Sequence, residues 1–111
     1  MSRIAILALG LSLAVASCAP VAGDACTTQK DCGDQVCLNV TYTPGGYCTQ
    51  QCSLEPSDSC PAGSVCVRDA ISKDLNGCLR TCKTEKDCRS GYECRKARES
   101  TETVCVGPEG I

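Results

Sequence analysis

Cysteine thiols are the only concentrated chemistry in this sequence: there are thirteen in 111 residues, with no histidine. Twelve fall into three groups of four: Cys26, Cys32, Cys37 and Cys48; Cys52, Cys60, Cys66 and Cys78; Cys82, Cys88, Cys94 and Cys105. A thiol-rich chain can bind a metal, exchange electrons or cross-link itself. Structural zinc sites space their ligands as C-x₂₋₄-C, often with histidine. Here C-x-x-C never occurs, and the two C-x₃-C pairs, Cys48/Cys52 and Cys78/Cys82, straddle the boundaries between groups. Thioredoxin-like redox chemistry uses C-x-x-C. No metal and no cofactor are therefore expected, and cross-linking is the expected use of the thiols. Hydrolysis needs a base beside a nucleophile, and without histidine a carboxylate pair is the remaining common option. Asp31 and Asp87 recur at equivalent repeat positions, which points to a local backbone hydrogen bond and not to catalysis. No enzymatic activity is expected.

Composition narrows the class further. Lys and Arg number 11 against 13 Asp and Glu, a formal net charge of −2. The region Arg80 to Arg98 is rich in Lys and Arg, but Glu85, Asp87, Glu93 and Glu99 are interleaved, which describes a solvated mixed face. No nucleic-acid partner is expected. Phe and Trp are absent, and Tyr42, Tyr47 and Tyr92 are the only aromatics. So short a chain with so few large apolar side chains buries a minimal hydrophobic core, and small domains of this kind are stapled by disulfides. One cross-link closing a loop near 15 residues contributes about 3 kcal/mol in the chain-entropy model.

The thiols are positioned by three copies of one unit, covering 26–51, 52–81 and 82–106, with a tail at 107–111. Cys26-Thr-Thr-Gln-Lys-Asp-Cys32 nearly reproduces Cys82-Lys-Thr-Glu-Lys-Asp-Cys88, and the middle copy, Cys52 to Cys60, is longer. Gly33, Gly63 and Gly91 lie between the second and third cysteines, where a turn with positive φ suits glycine. Val36 to Tyr42 is β-prone, and Pro44-Gly45-Gly46 turns it back toward Tyr47-Cys48 as a hairpin. Val65 to Arg68 with Asn76 to Cys78, and Tyr92 to Cys94 with Thr103 to Val106, repeat that shape. Thr27 to Asp31 and Thr84 to Asp87 are each expected to form one helical turn. The fold class is thus small and disulfide-rich: three tandem four-cysteine units of short β-hairpins and single helical turns.

Twelve cysteines allow on the order of ten thousand complete pairings. Equivalent cysteines in a repeat should pair equivalently, which leaves three patterns within a unit. The favoured one joins first to third and second to fourth: Cys26–Cys37 and Cys32–Cys48; Cys52–Cys66 and Cys60–Cys78; Cys82–Cys94 and Cys88–Cys105. Both bridges then tie the helical turn to the hairpin, whereas nested pairing closes the short second-to-third loop on itself. From Cys26 to Cys105 the spacings, with Asp before the second cysteine and Gly before the third, resemble the cysteine-rich repeats of bacterial exported lipoproteins. They are also similar to dickkopf N-terminal and colipase-like modules, whose interlocked bridges imply the same pairing here. The chain lacks the adjacent Cys-Cys pair of colipase-like modules.

The thirteenth cysteine belongs to a leader. Arg3 precedes an apolar run from Ile4 to Ala16, short of the ~20 residues that span a bilayer as a helix, and small residues follow, as in an export signal. Ala14-Val15-Ala16 fits ordinary signal cleavage and a soluble product. Val15-Ala16-Ser17-Cys18 resembles the bacterial lipobox, which implies a signal peptide over 1–17, diacylglyceryl attachment at Cys18 and N-acylation of the new terminus. Parity favours the second reading, because an acylated Cys18 leaves twelve cysteines that can all pair. In lipoprotein sorting an Asp after the acylated cysteine favours the inner membrane, so Ala19 implies the outer membrane of a Gram-negative cell. Residues 18–25 read as a lipid-anchored tether, in which Ala19 to Ala25 spans at most roughly 25 Å at ~3.5 Å per residue.

The expectation is an exported, lipid-anchored envelope module that acts by binding or as a structural component, with the membrane and a protein or envelope component as partners. The alternative is a secreted or surface protease-inhibitor-like domain offering Arg68 or Arg80 to a specificity pocket. Arg68 to Asn76 reads as a polar exposed loop. Asn39-Val40-Thr41 matches the N-glycosylation sequon, which matters only in a eukaryotic host.

Overall fold

The computed structural model describes residues 20–55 and 59–110. The leader and Cys18 lie outside the described residues. The architecture is small and disulfide-rich: the described residues form three two-stranded antiparallel hairpins in chain order, with a single 3₁₀ turn described ahead of the first and the third. Unit 1 pairs β1 (Val36–Leu38) with β2 (Tyr47–Thr49), unit 2 pairs β3 (Ser64–Ser72) with β4 (Leu75–Arg80), and unit 3 pairs β5 (Glu93–Lys96) with β6 (Thr103–Val106). The third and fourth cysteines face each other across every hairpin: Cys37 opposite Cys48, Cys66 opposite Cys78, Cys94 opposite Cys105.

The two helical turns form at Gln29–Cys32 and Glu85–Asp87. Each is started by a carboxylate: Asp31 Oδ2 accepts the backbone N–H groups of Thr27 at 2.7 Å and Thr28 at 3.0 Å, and Asp87 Oδ2 accepts those of Lys83 at 2.7 Å and Thr84 at 3.1 Å. Amides that the turn leaves without a partner are satisfied in this way. Gly33, Gly63 and Gly91, which follow, all have positive φ, between 58° and 87°.

Two hairpins differ from their sequence-based bounds. β1 ends at Leu38 although Asn39 to Tyr42 is β-prone. Thr43 ends it: its Oγ1 donates to Leu38 O and accepts from Val40 N, holding Val40 to Thr43 in a turn. Unit 2 carries a much longer hairpin, so Arg68 to Asn76 is not a free polar loop. Its pairing runs from Ser64 opposite Arg80 to Val67 opposite Gly77, breaks at a bulge, and resumes at Ser72 opposite Leu75. Ala70 within the bulge is fully buried. Asp69 and Asp74 take the left-handed conformation that Asp tolerates, and Asp69 Oδ1 accepts Asp74 N at 2.8 Å.

One shared core joins the units. Leu38 and Tyr47 from unit 1, Val67, Ala70 and Leu79 from unit 2, and Tyr92, Ala97, Val104 and Val106 from unit 3 form a single buried cluster. The chain entering each unit lies along that unit's second strand. Cys78 N donates to Gln50 O and Cys52 N to Asn76 O. Cys82 N likewise donates to Thr103 O. Gly77 lets this happen in unit 2, because a Cβ there would sit 2.9 Å from Ile71 Cγ1 and 3.1 Å from Thr49 Oγ1.

Candidate functional site

The twelve body cysteines form six bridges: Cys26–Cys37, Cys32–Cys48, Cys52–Cys66, Cys60–Cys78, Cys82–Cys94 and Cys88–Cys105. Each unit is interlocked, with Cα–Cα separations from 5.3 Å in Cys32–Cys48 to 5.9 Å in Cys26–Cys37. The two bridges of a unit are neighbours. The sulfurs of Cys26, Cys32 and Cys37 lie within 4.8 Å of one another, as do those of Cys52, Cys60 and Cys78 and those of Cys82, Cys88 and Cys105. Three thiolates so close would suit a soft metal, but in a disulfide no thiolate remains to ligate one.

A cluster of side-chain hydrogen bonds sits where units 1 and 3 meet. The Arg89 guanidinium donates to Gly23 O at 3.0 Å, to Pro44 O at 2.7 Å, to Gly46 O, and to the Tyr92 hydroxyl at 2.8 Å. Its Cζ lies 4.3 Å from the centroid of the Tyr92 ring, a cation–π placement. Tyr92 donates its hydroxyl to Pro44 O at 2.9 Å and stacks on Tyr47, with ring centroids 5.9 Å apart. Tyr47 accepts Arg80 N at 2.7 Å, which ties in unit 2. Burial pushes the Tyr47 phenol up to about 12 and raises Tyr92 as well. The terminal nitrogens of Arg89 and the Tyr92 hydroxyl are spent on oxygens of the protein itself, so the cluster acts as a clasp between units, although Arg89 and Tyr92 also line a surface pocket with Glu85, Glu93 and Pro108.

Sequence reasoning missed Arg89. The signal was available as a departure from the repeat: the residue after the second cysteine is Gly33 in unit 1, Pro61 in unit 2 and Arg89 in unit 3. Tyr47 and Tyr92 were visible as two of three aromatics, but nothing in the sequence pairs them.

Arg68 and Arg80 are not brought together with one another. Arg68 lies in the bulge of β3 and is exposed, its Nε 2.8 Å from Glu99 Oε2 of unit 3. Arg80 ends β4 and lines a shallow groove with Val21, Ala22, Ala62, Gly63 and Thr81. Among the described residues Arg80 makes no ion pair. Asp31 and Asp87 are solvent-exposed, and the backbone N–H groups they accept hold their carboxyls below the usual value of 3.8, as a turn-capping role requires.

Six disulfides belong to an oxidising, extracellular or envelope-exposed compartment. No helix among the described residues is long and apolar enough to cross a membrane. No family model, curated protein or solved structure matches this chain.

Proposed function

We propose that this chain is an exported lipoprotein of the cell envelope, anchored through acylated Cys18, whose disulfide-stapled body serves as a non-catalytic binding or structural module. One observation carries the reading: every cysteine from Cys26 to Cys105 is already bonded to another, which leaves Cys18 as the odd thiol in an oxidising compartment. An exported protein rarely keeps a free thiol, and thioether-linked lipid uses it. One acyl chain gives only marginal membrane binding, whereas a triacylated terminus anchors stably. Ala19 directs the anchor to the outer membrane under the lipoprotein sorting rule, and the partner is a protein or envelope component.

Intact mass of the protein purified from membranes tests this. The expected result is a terminus beginning at Cys18 with acyl mass on it, and no titratable thiol. A Cys18→Ala variant should be released from the membrane fraction with its six bridges intact. A terminus at Ser17, or a free Cys18 thiol in the mature protein, overturns the anchor.

A further inference from the structure

Residues 20–25, ahead of the first bridge, are packed into the fold. Gly23 N donates to Cys48 O and Cys48 N to Asp24 O, both at 2.9 Å. Cys78 N donates to Gln50 O in the same register in unit 2, and in unit 3 the entering chain also lies along the second strand, with Thr81 opposite Val104 and Cys82 N donating to Thr103 O. The residues before Cys26 are thus the first copy of the entry segment that precedes every unit. Ala22 is buried, Asp24 Oδ2 turns back to accept Val21 N at 2.9 Å, and Gln35 Nε2 donates to Pro20 O at 2.8 Å. Arg89 takes the Gly23 carbonyl from unit 3. Pro20, two residues after Cys18 in sequence, is already held by these contacts.

We propose that the body is seated directly on the bilayer surface, with the groove of Val21, Ala62, Gly63 and Arg80 against the phospholipid headgroups and the turn of the β3–β4 hairpin as its outward pole. This rests on acylation of Cys18. Two residues reach at most about 7 Å, and the headgroup layer of one leaflet is roughly 5–8 Å deep. Pro20 is therefore held within that layer or at its outer edge while the acyl chains are buried. Val21 is 49% exposed and apolar, and Arg80 offers a cation on an apolar stem, the pair that suits an interface. The acyl chains supply the affinity, and the groove sets only the orientation.

Orientation decides what a partner meets. The β3–β4 hairpin has its base at the groove, where Ser64 pairs with Arg80, and β3 extends from there to Ser72, at most about 26 Å at ~3.3 Å per residue. The turn at Lys73 and Asp74, with the exposed Leu75, is the end of this hairpin away from the groove, and the seating makes it the outward end.

The test uses the acylated protein, isotope-labelled, in phospholipid nanodiscs that carry a headgroup-linked gadolinium chelate. The amide signals of Val21, Gly63 and Arg80 should be lost, and those of Lys73 and Asp74 should keep their intensity. Inserting eight Gly-Ser residues between Ala19 and Pro20 should restore the first group. Equal losses over the whole body, or losses first at Lys73, overturn the seating. The acyl mass of the same sample separates the two readings: without acylation both fail, whereas an acylated protein with uniform losses defeats the seating alone.

Discussion

Units 1 and 3 close the loop between their first two cysteines with a carboxylate, and unit 2 closes it with a hydroxyl. In all three, the residue before the second cysteine accepts the N–H of the residue after the first. Asp31 takes Thr27 N, Asp87 takes Lys83 N, and Ser59 Oγ takes Ser53 N at 3.1 Å while donating to Ser53 O. The carboxylates also take a second amide and set a helical turn. The hydroxyl holds a loop two residues longer. The bridging pattern is the same in every unit, so it defines the repeat, and the group that closes the first loop varies. Unit 2 also has the long hairpin and reaches both neighbours through β4, whereas units 1 and 3 meet at the Arg89 clasp.

Unit 2 therefore holds the other two together. Replacing Cys60 and Cys78 by Ala removes the bridge that anchors β4, whose Cys78 N and Leu79 serve the junction with unit 1 and the shared core. The expected cost is about 2–5 kcal/mol, seen as one cooperative thermal transition at lower temperature. Separate melting of units 1 and 3 at their original temperatures would break the comparison.

Tyr47 sharpens it from the other side. Its folded pKa is raised by burial to about 12, above the ordinary value of 10. The associated stability is complete below pH 10 and disappears as pH rises to about 12. Two pKa units correspond to roughly 3 kcal/mol. Alkaline titration followed by phenolate absorbance should show one tyrosine ionising together with unfolding, and Tyr47→Phe should abolish that step.

The Arg89 clasp comes next. Removing a charged donor from buried carbonyls costs about 1.5–3 kcal/mol, and lysine cannot reproduce the fork. Chemical denaturation should place Arg89→Lys and Arg89→Ala at similar losses. A Lys variant as stable as the parent would show that charge alone suffices.

The carboxylate–hydroxyl difference predicts a smaller effect of acid. The folded pKa values of Asp31 and Asp87 are depressed below 3.8, so their contribution is full above pH 3.8 and is lost as pH falls through the lower folded values. Amide exchange at Thr27, Thr28, Lys83 and Thr84 should accelerate, relative to the intrinsic rate, below pH 3.8. Exchange at Ser53 should not, because Ser59 carries no proton to gain. Acid-accelerated opening at Ser53 as well would deny that the closing group matters.

Much of this architecture was legible from spacing alone. Hairpins and single turns follow from cysteine intervals and glycine positions, because bridges and turns act locally. Asp31 and Asp87 were readable as backbone acceptors because they recur. Ser59 was not, since its equivalence appears only after the longer loop closes. Arg89 stood out only as a departure from the repeat, and its grouping with Tyr47 and Tyr92 was out of reach of the sequence, because the clasp includes contacts more than 40 positions apart. The long β3 was hidden by its bulge, which places charged Arg68 and Asp69 beside buried Ala70 and breaks the alternation that marks a strand.

Arg68 gives the smallest effect and the sharpest contrast with Arg89. Both arginines join unit 3 to another unit. Arg89 does so half-buried, with its donors on carbonyls held by the fold, and Arg68 does so in solvent, with an exposed Glu99 as its partner. Water and salt screen an exposed pair, and ordering two long side chains offsets much of its attraction. Arg68→Ala should therefore change stability by less than about 1 kcal/mol, with the difference shrinking as salt is added. A salt-independent loss as large as that of Arg89→Ala would mean that the bulge of β3 depends on this contact and that the unit 2–unit 3 joint is as tightly clasped as that between units 1 and 3.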